Sequence, residues 1–202
     1  MTDRPGRPPS INRTLVVDAA ARLAERVGLD RFTMGQLADE LGVAPMTPYH
    51  HVANRSELVQ LVVEQLLDRI EIPGPDTGPW DIRLKTLEAN ARRALAGISG
   101  IRTGIGAEGS PGAARLAAAV LGILDEAGFD ERTALLAYGA MFTYMIGQLE
   151  LDVAVSRRAG SANARQFAEL ISRDAGGRRP TPDEFFEFGF GLLLTALRER
   201  PH

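Results

Sequence analysis

The chain has 202 residues, 45% hydrophobic and 6% aromatic, with a formal net charge of −3, and this suits a small domain followed by a larger one. It holds no cysteine, which excludes disulfides and thiolate chemistry and agrees with a reducing cytoplasm. The richest apolar stretch, residues 134–149, is short and meets Gln148 and Glu150, so a buried bundle helix is expected there and no membrane span.

The first dozen residues, MTDRPGRPPSIN, are rich in Pro and Arg and read as a flexible arm over 1–12. Arg4, Arg7 and Arg13 lead into an amphipathic helix instead of an apolar run, so no signal peptide is expected. Val16, Ala20, Leu23, Ala24 and Val27 fall at helical spacing, and Gly28 closes that helix. Thr33 and Gln36 form a capping box ahead of Leu37, Ala38 and Leu41, and Gly42-Val43 supplies a turn. Thr47, Tyr49, His50 and His51 then crowd about a turn and a half. They offer hydrogen-bonding groups and ring faces of the kind that base edges and phosphates require. Two short helices at this spacing match a helix-turn-helix reader.

Asn54 and Glu57 read as a second capping box before Leu58, Leu61, Val62 and Leu66, in a helix running to about Ile70. The segment Pro73 to Pro79 cannot continue a helix and marks the boundary, with Pro79 suited to the first position of the next one. Trp80, Leu84, Leu87, Ala91, Leu95 and Ile98 then form one apolar stripe. Five glycines in residues 100–112 predict irregular, movable backbone, and Ser110-Pro111 restarts a helix that ends at Gly128. Asp130 caps a helix to roughly Val155 that is apolar on two faces. Residues 156–180 are polar, with one weakly anchored helix near 164–172. Thr181, Pro182 and Glu184 open a last helix bearing Phe185, Phe186, Phe188, Phe190 and Leu192 to Leu194. Two helices apolar nearly all round are either self-contained core or completed by a second subunit.

Charge tempers the DNA reading, because residues 1–57 carry seven arginines and seven acids and are formally neutral. The arm gathers Arg4, Arg7 and Arg13, and Arg55 stands at a helix start where it and the backbone amides can meet a phosphate. Non-specific affinity is therefore expected to be modest. His50 and His51 are neighbours about 100° apart on a helix, a poor arrangement for chelating one ion, so no metal is expected. Beyond them the one histidine is His202. The glycine cluster lacks a Lys-Ser/Thr ending, and Glu150 and Asp152 face different ways. These patterns offer no catalytic constellation.

DAAARLAERVG, Thr33, LADELGV, Thr47, Tyr49-x-His51-Val52 and Asn54-Arg55 before Leu58 together resemble the tetracycline-repressor (TetR) family of bacterial regulators. PWDIRLKTL, LDEAGFDERTAL and DEFFEFGFGLLLTAL extend the resemblance over nearly the whole chain. It implies an all-α protein: a three-helix helix-turn-helix domain with its connecting helix over 13–72, and an effector-binding and dimerisation bundle over 79–202. It implies that Thr33, Pro45, Met46, Thr47, Tyr49, His50, His51 and Arg55 form the DNA-facing surface. Tyr49 and His51 would meet phosphates, Thr47 base or backbone, and His50 would choose sequence; the plainer reading of Tyr49 is a helix-packing aromatic. Gly35 stands where the family's type member has a base-reading arginine, which points away from the tetracycline operator.

The resemblance also implies an effector pocket, with Trp80, Leu84, Leu87, Ile101, Ile105, Met141, Tyr144, Met145 and Gln148 as candidate lining residues that would look alike as ordinary core. Glu71 stands where the type member has a drug-contacting histidine, so an apolar, metal-free effector is expected, with no cofactor. Gly139, Thr143 and Gly147 form a small-residue row, and Phe188, Leu192 and Leu193 are the expected seam of a four-helix homodimer interface. The expected partners are double-stranded, pseudo-palindromic operator DNA, a small-molecule effector and a second copy of the chain, with no membrane. The function implied is a cytoplasmic repressor released by its effector. The alternative is a ligand-independent dimeric DNA-binding or adaptor protein.

Overall fold

The computed structural model describes residues 11–101, 109–157, 162–171 and 180–200. Ile105, the arm's Arg4 and Arg7, and much of the glycine-rich segment lie outside the described residues. The helices are α1 (Arg13–Val27), α2 (Met34–Leu41), α3 (Arg55–Asp68), α4 (Trp80–Leu95), α5 (Pro111–Glu126), α6 (Glu131–Arg157), α7 (Ala162–Ile171) and α8 (Pro182–Arg198). Two 3-10 turns, Thr47–His50 and Pro75–Thr77, join them. The all-α expectation holds.

Local chemistry sets most of the boundaries. Asn12 accepts a hydrogen bond from the Leu15 N–H at 2.9 Å and starts α1, and Ile11 packs on the core. Residues 11 and 12 thus belong to the folded domain and not to the arm. Thr33 and Gln36 make both halves of the expected capping box, at 3.2 and 2.9 Å. Gly42 ends α2 in the left-handed region at φ +67, which lets the Val43 N–H turn back to the Ala38 carbonyl at 3.0 Å. At α3 only half of the expected box forms. Asn54 accepts from the Glu57 N–H at 2.9 Å, while the Glu57 carboxylate accepts from Ala53 N–H and pairs with Arg13. Pro79 is the cap of α4 and not its first residue, since its carbonyl accepts from the Ile82 and Arg83 N–H groups, both at 3.0 Å.

Helix α3 packs on α1 on one side and on α4 and α5 on the other, so it belongs to both the reader and the bundle. Helix α6 lies against α4, α5, α7 and α8. The N-terminus of α8 is pinned by polar groups. Arg92 on α4 donates to Asp152 at 2.8 Å and to Asp183 at 2.6 Å, and its guanidinium lies 5.1 Å from the centre of the Phe186 ring. Gln148 donates to Asp152 and to the Pro182 carbonyl, and the Tyr144 hydroxyl donates to the Phe185 carbonyl at 2.8 Å. At the other end Arg198 pairs with Asp81. Arg92 and Asp152 are both largely buried, which makes loss of the cation costly for the anion left behind. Arg92→Met is expected to lower stability by roughly 3 kcal/mol, read as the urea midpoint. A loss of a few tenths would mean that apolar packing alone holds α8.

Candidate functional site

The second short helix of the reader is a 3-10 turn and no longer, because proline controls it from within. Pro48 takes an early position where its missing N–H costs nothing, and its ring is buried. Its carbonyl accepts from the His51 and Val52 N–H groups at 3.0 and 3.2 Å, which closes the turn over buried Val52. This geometry leaves Pro45, Met46, Tyr49 and His50 exposed, with Met46 66% and Tyr49 41% accessible, and Thr47 and His51 half-buried beside them. Thr33 is exposed at the start of α2, and its hydroxyl already accepts the cap bond from the Gln36 N–H.

Arg55 departs from the expectation. Its Nε donates to the Phe32 carbonyl at 2.9 Å and its Nη2 to the Leu29 carbonyl at 2.5 Å, and the guanidinium lies 4.8 Å from the centre of the Phe32 ring. It clasps the turn between α1 and α2 to the start of α3, and phosphate contact is not what this geometry serves. Other arginines of the reader lie against carboxylates instead: Arg13 by Glu57, Arg22 and Arg26 by Glu40, and Arg31 by Asp30. The neutral balance read from the sequence is therefore a local pairing as well as a sum.

In the bundle, α3, α4, α5 and α6 line a partly open apolar cavity of about 80 Å³. Leu67 and Ile70 at the end of α3 form one wall, Leu116 and Val120 of α5 another, and Tyr138 and Phe142 of α6 a third. That is room for several waters and less than a drug-sized ligand occupies. Of the expected lining residues, Leu87 and Met145 reach this cavity. Leu84 and Ile101 are closed core, and Trp80 packs edge-on against Phe129 at 5.1 Å. Tyr144 and Gln148 hold α8 as described above, and Met141 faces a crevice between α6 and α8. A helical stripe is too coarse to separate these fates, since neighbouring positions on one apolar face can meet different helices.

The sequence reading missed Glu88. It lines the cavity at 7% exposure, and burial pushes its carboxyl up to about 8. Its position was readable: residue 88 lies four after Leu84 and seven before Leu95, inside the apolar stripe of α4. Across the cavity, burial and then the charge of Glu88 raise the Tyr138 phenol above its ordinary value.

On the outside of the bundle, α6 and α8 leave large apolar groups uncovered. Phe188 is 72% exposed and Leu192 57%, with Leu135 and Leu136 also exposed. A Cβ placed on Gly139 or Gly147 meets nothing within 4 Å, so the small-residue row borders open space. Leu193 differs from the expectation: it is half-buried and packs on its own core.

A helix-turn-helix head on a helix whose far end walls a bundle cavity defines a DNA-binding transcriptional regulator. The family model described as bacterial regulatory proteins, tetR family, matches residues 16–62. The chain is 31% identical to the class D tetracycline repressor protein of Escherichia coli over 201 residues, covering 93% of this chain and 92% of that one. It is 39% identical over 98 residues to the repressor DrrR1 of Streptomyces coeruleorubidus, a match spanning 46% of this chain but only 34% of that relative's length. A crystal structure of a possible TetR family transcriptional regulator from Streptomyces coelicolor superposes with a TM-score of 0.78 at 26% identity, covering 93% of this chain and 98% of that one. The chain belongs to the tetR family of bacterial regulatory proteins.

Two outcomes follow from this geometry. Tyr49→Phe is expected to weaken operator and non-operator DNA alike, as loss of a phosphate-bonding hydroxyl does, whereas His50→Ala changes the preferred bases. Competition binding against a randomised duplex pool reads both, and an unchanged base preference in His50→Ala removes that residue from sequence choice. The second concerns pH. Glu88 titrates near 8 in the folded chain against 4.5 ordinarily, so the folded state holds the extra proton between those values. Stability contributed by this proton is complete below about 4.5, falls as pH rises toward 8, and levels off above it. The slope is at most about 1.4 kcal/mol per pH unit. Glu88→Gln is expected to flatten the dependence of the denaturation midpoint over that interval; an unchanged slope would assign it to other groups.

Proposed function

We propose that this regulator is a homodimeric, cytoplasmic repressor that leaves a pseudo-palindromic operator when a small, largely apolar molecule enters the bundle cavity. No catalytic step belongs to this reading. The observation that carries it is the shared wall: Leu67, in the last turn of the helix on which the reader is mounted, and Ile70, just past that helix's end, both line the cavity. Helix α5 grips that same end. Arg115 donates to the Leu67 and Ile70 carbonyls at 2.7 and 3.2 Å, and Glu64 accepts from the Ser110 hydroxyl and from the Gly112 N–H at 2.8 Å. Gly112 lies so close to α3 that an added Cβ would stand 2.8 Å from the Leu67 Cβ. A ligand larger than the cavity must part these helices, and the end of α3 moves with them. Effector and operator then compete through one two-state displacement.

The uncovered face of α6 and α8 supports the homodimer, since exposed Phe188 and Leu192 beside a row of small residues fit a close helix pairing. The effector reading departs from the tetracycline repressor, because the described cavity wall carries no imidazole for a metal chelate. The test begins with genomic fragments selected on the protein, which are expected to contain inverted repeats with half-sites a helical turn or more apart. A panel of lipophilic compounds then releases the bound operator. Arg115→Met is expected to bind operator within about threefold of the wild type, yet to need about tenfold more effector for release. Leu192→Glu is expected to sediment as a monomer and to lose operator binding. A variant that remains dimeric overturns the interface, and an Arg115→Met protein with normal release overturns the coupling.

A further inference from the structure

We propose that the effector is a lipophilic amine, held inside the cavity by an ion pair between its ammonium and the Glu88 carboxylate. This rests on the cavity being the effector site and names the chemistry that the site selects. Glu88 is nearly inaccessible, and no described side chain donates a hydrogen bond to it. The neighbouring cations among the described residues are committed elsewhere: Arg83 to Glu126, Arg92 to Asp152 and Asp183, and Arg115 to the Leu67 carbonyl. Among the described residues, α3 and α5 face Glu88 with aliphatic groups only, and Tyr138 of α6 is the one other titratable residue of the wall. A lone carboxyl in such surroundings opposes folding as an anion, and a leucine of similar size would serve the core better.

What the arrangement does serve is recognition of a cation with an apolar body. An ammonium entering beside Glu88, which is itself nearly inaccessible, gains a charge-assisted hydrogen bond with little competition from water. The Tyr138 and Phe142 rings, with centres 6.0 Å apart on the same wall, add faces that attract a cation. The aliphatic remainder of the wall accepts the ligand's hydrocarbon. An anionic ligand of the same shape finds no cation on the described wall and keeps Glu88 in its protonated form, and a neutral one leaves the ion pair unmade.

Calorimetric titration of the full-length protein with 4-phenylbutylamine, 4-phenylbutanol and 4-phenylbutyrate separates these cases. The wild type is expected to bind the amine at least about tenfold more tightly than the alcohol, and the acid least. Glu88→Gln is expected to bring amine and alcohol within about threefold of each other. Forming the pair below about pH 8 expels a proton from the Glu88 carboxyl. Affinity for the amine therefore rises by up to about tenfold per pH unit toward neutrality, while that for the alcohol does not. Buffers of different ionisation heat read the released proton directly, and this wild-type signature stands even if the variant fails to fold. Equal binding of amine and alcohol, a preference that survives in Glu88→Gln, or no amine binding would each overturn the ion pair. Operator release by the alcohol without preference for the amine would leave the cavity as effector site and remove only its charge selectivity. Amine binding that spares the operator would do the reverse.

Discussion

Helix α3 has to satisfy two hydrophobic cores at once, and the rest of the molecule is arranged around that constraint. Leu58 and Val62 are fully buried in the part of the helix that follows the reader, and Leu66, Leu67 and Ile70 remain buried at the end facing the bundle. Gln65 donates to Asp18 on α1, while one helical turn away the carbonyls of Leu67 and Ile70 accept from Arg115 on α5. A rigid rod held at both ends transmits displacement, because close-packed side chains re-seat in discrete steps more readily than they compress.

A second tie between the two parts lies beside the first. The Leu29 N–H donates to the Ser99 carbonyl at 2.9 Å, and the Ser99 hydroxyl donates to Asp30 at 2.9 Å. Gly100, at φ +78, lets the chain pass so near that a Cβ there would stand 2.9 Å from the Asp30 Cβ. The turn after α1 is thus anchored to the segment that follows α4, whereas the end of α3 is anchored to α5. In the proposed switch, a movement of α5 relative to α4 would act on the two ties unequally and turn the reader about the α1–α2 turn. The Arg55 clasp keeps the reader in one piece while this happens, since it joins both carbonyls of that turn to the start of α3.

The sequence carried most of the scaffold. Capping boxes at Thr33 and Thr181, the Asp130 cap and the glycines ending α1 and α2 are local signals, and each forms where the residues place it. Long-range commitments were not legible. Nothing local tells that Arg55 bends inward to carbonyls 23 and 26 residues away, or that Tyr144 and Gln148 reach across to the backbone of α8. The reader surface around Tyr49 was recoverable because it lies within one continuous segment. The cavity was only partly so, since four helices supply its wall and a stripe identifies a buried face without naming its neighbour. Glu88 stood in plain view as a charge inside an apolar stripe.

The pairing of the reader's arginines with carboxylates has a consequence for the protein's economy in a cell. A genome offers on the order of a million or more competing sites, and a strongly basic head spends most of its time on them. Here Arg13, Arg22, Arg26 and Arg31 each face a carboxylate, which lowers the attraction to arbitrary duplex. With that attraction lowered, a larger share of the molecules would stay free in solution, and few copies would hold an operator occupied. The search for that operator relies more on fresh encounters than on sliding. Once displaced, the regulator also has little reason to linger on neighbouring sequence, so transcription can start without waiting for a retained repressor to diffuse away.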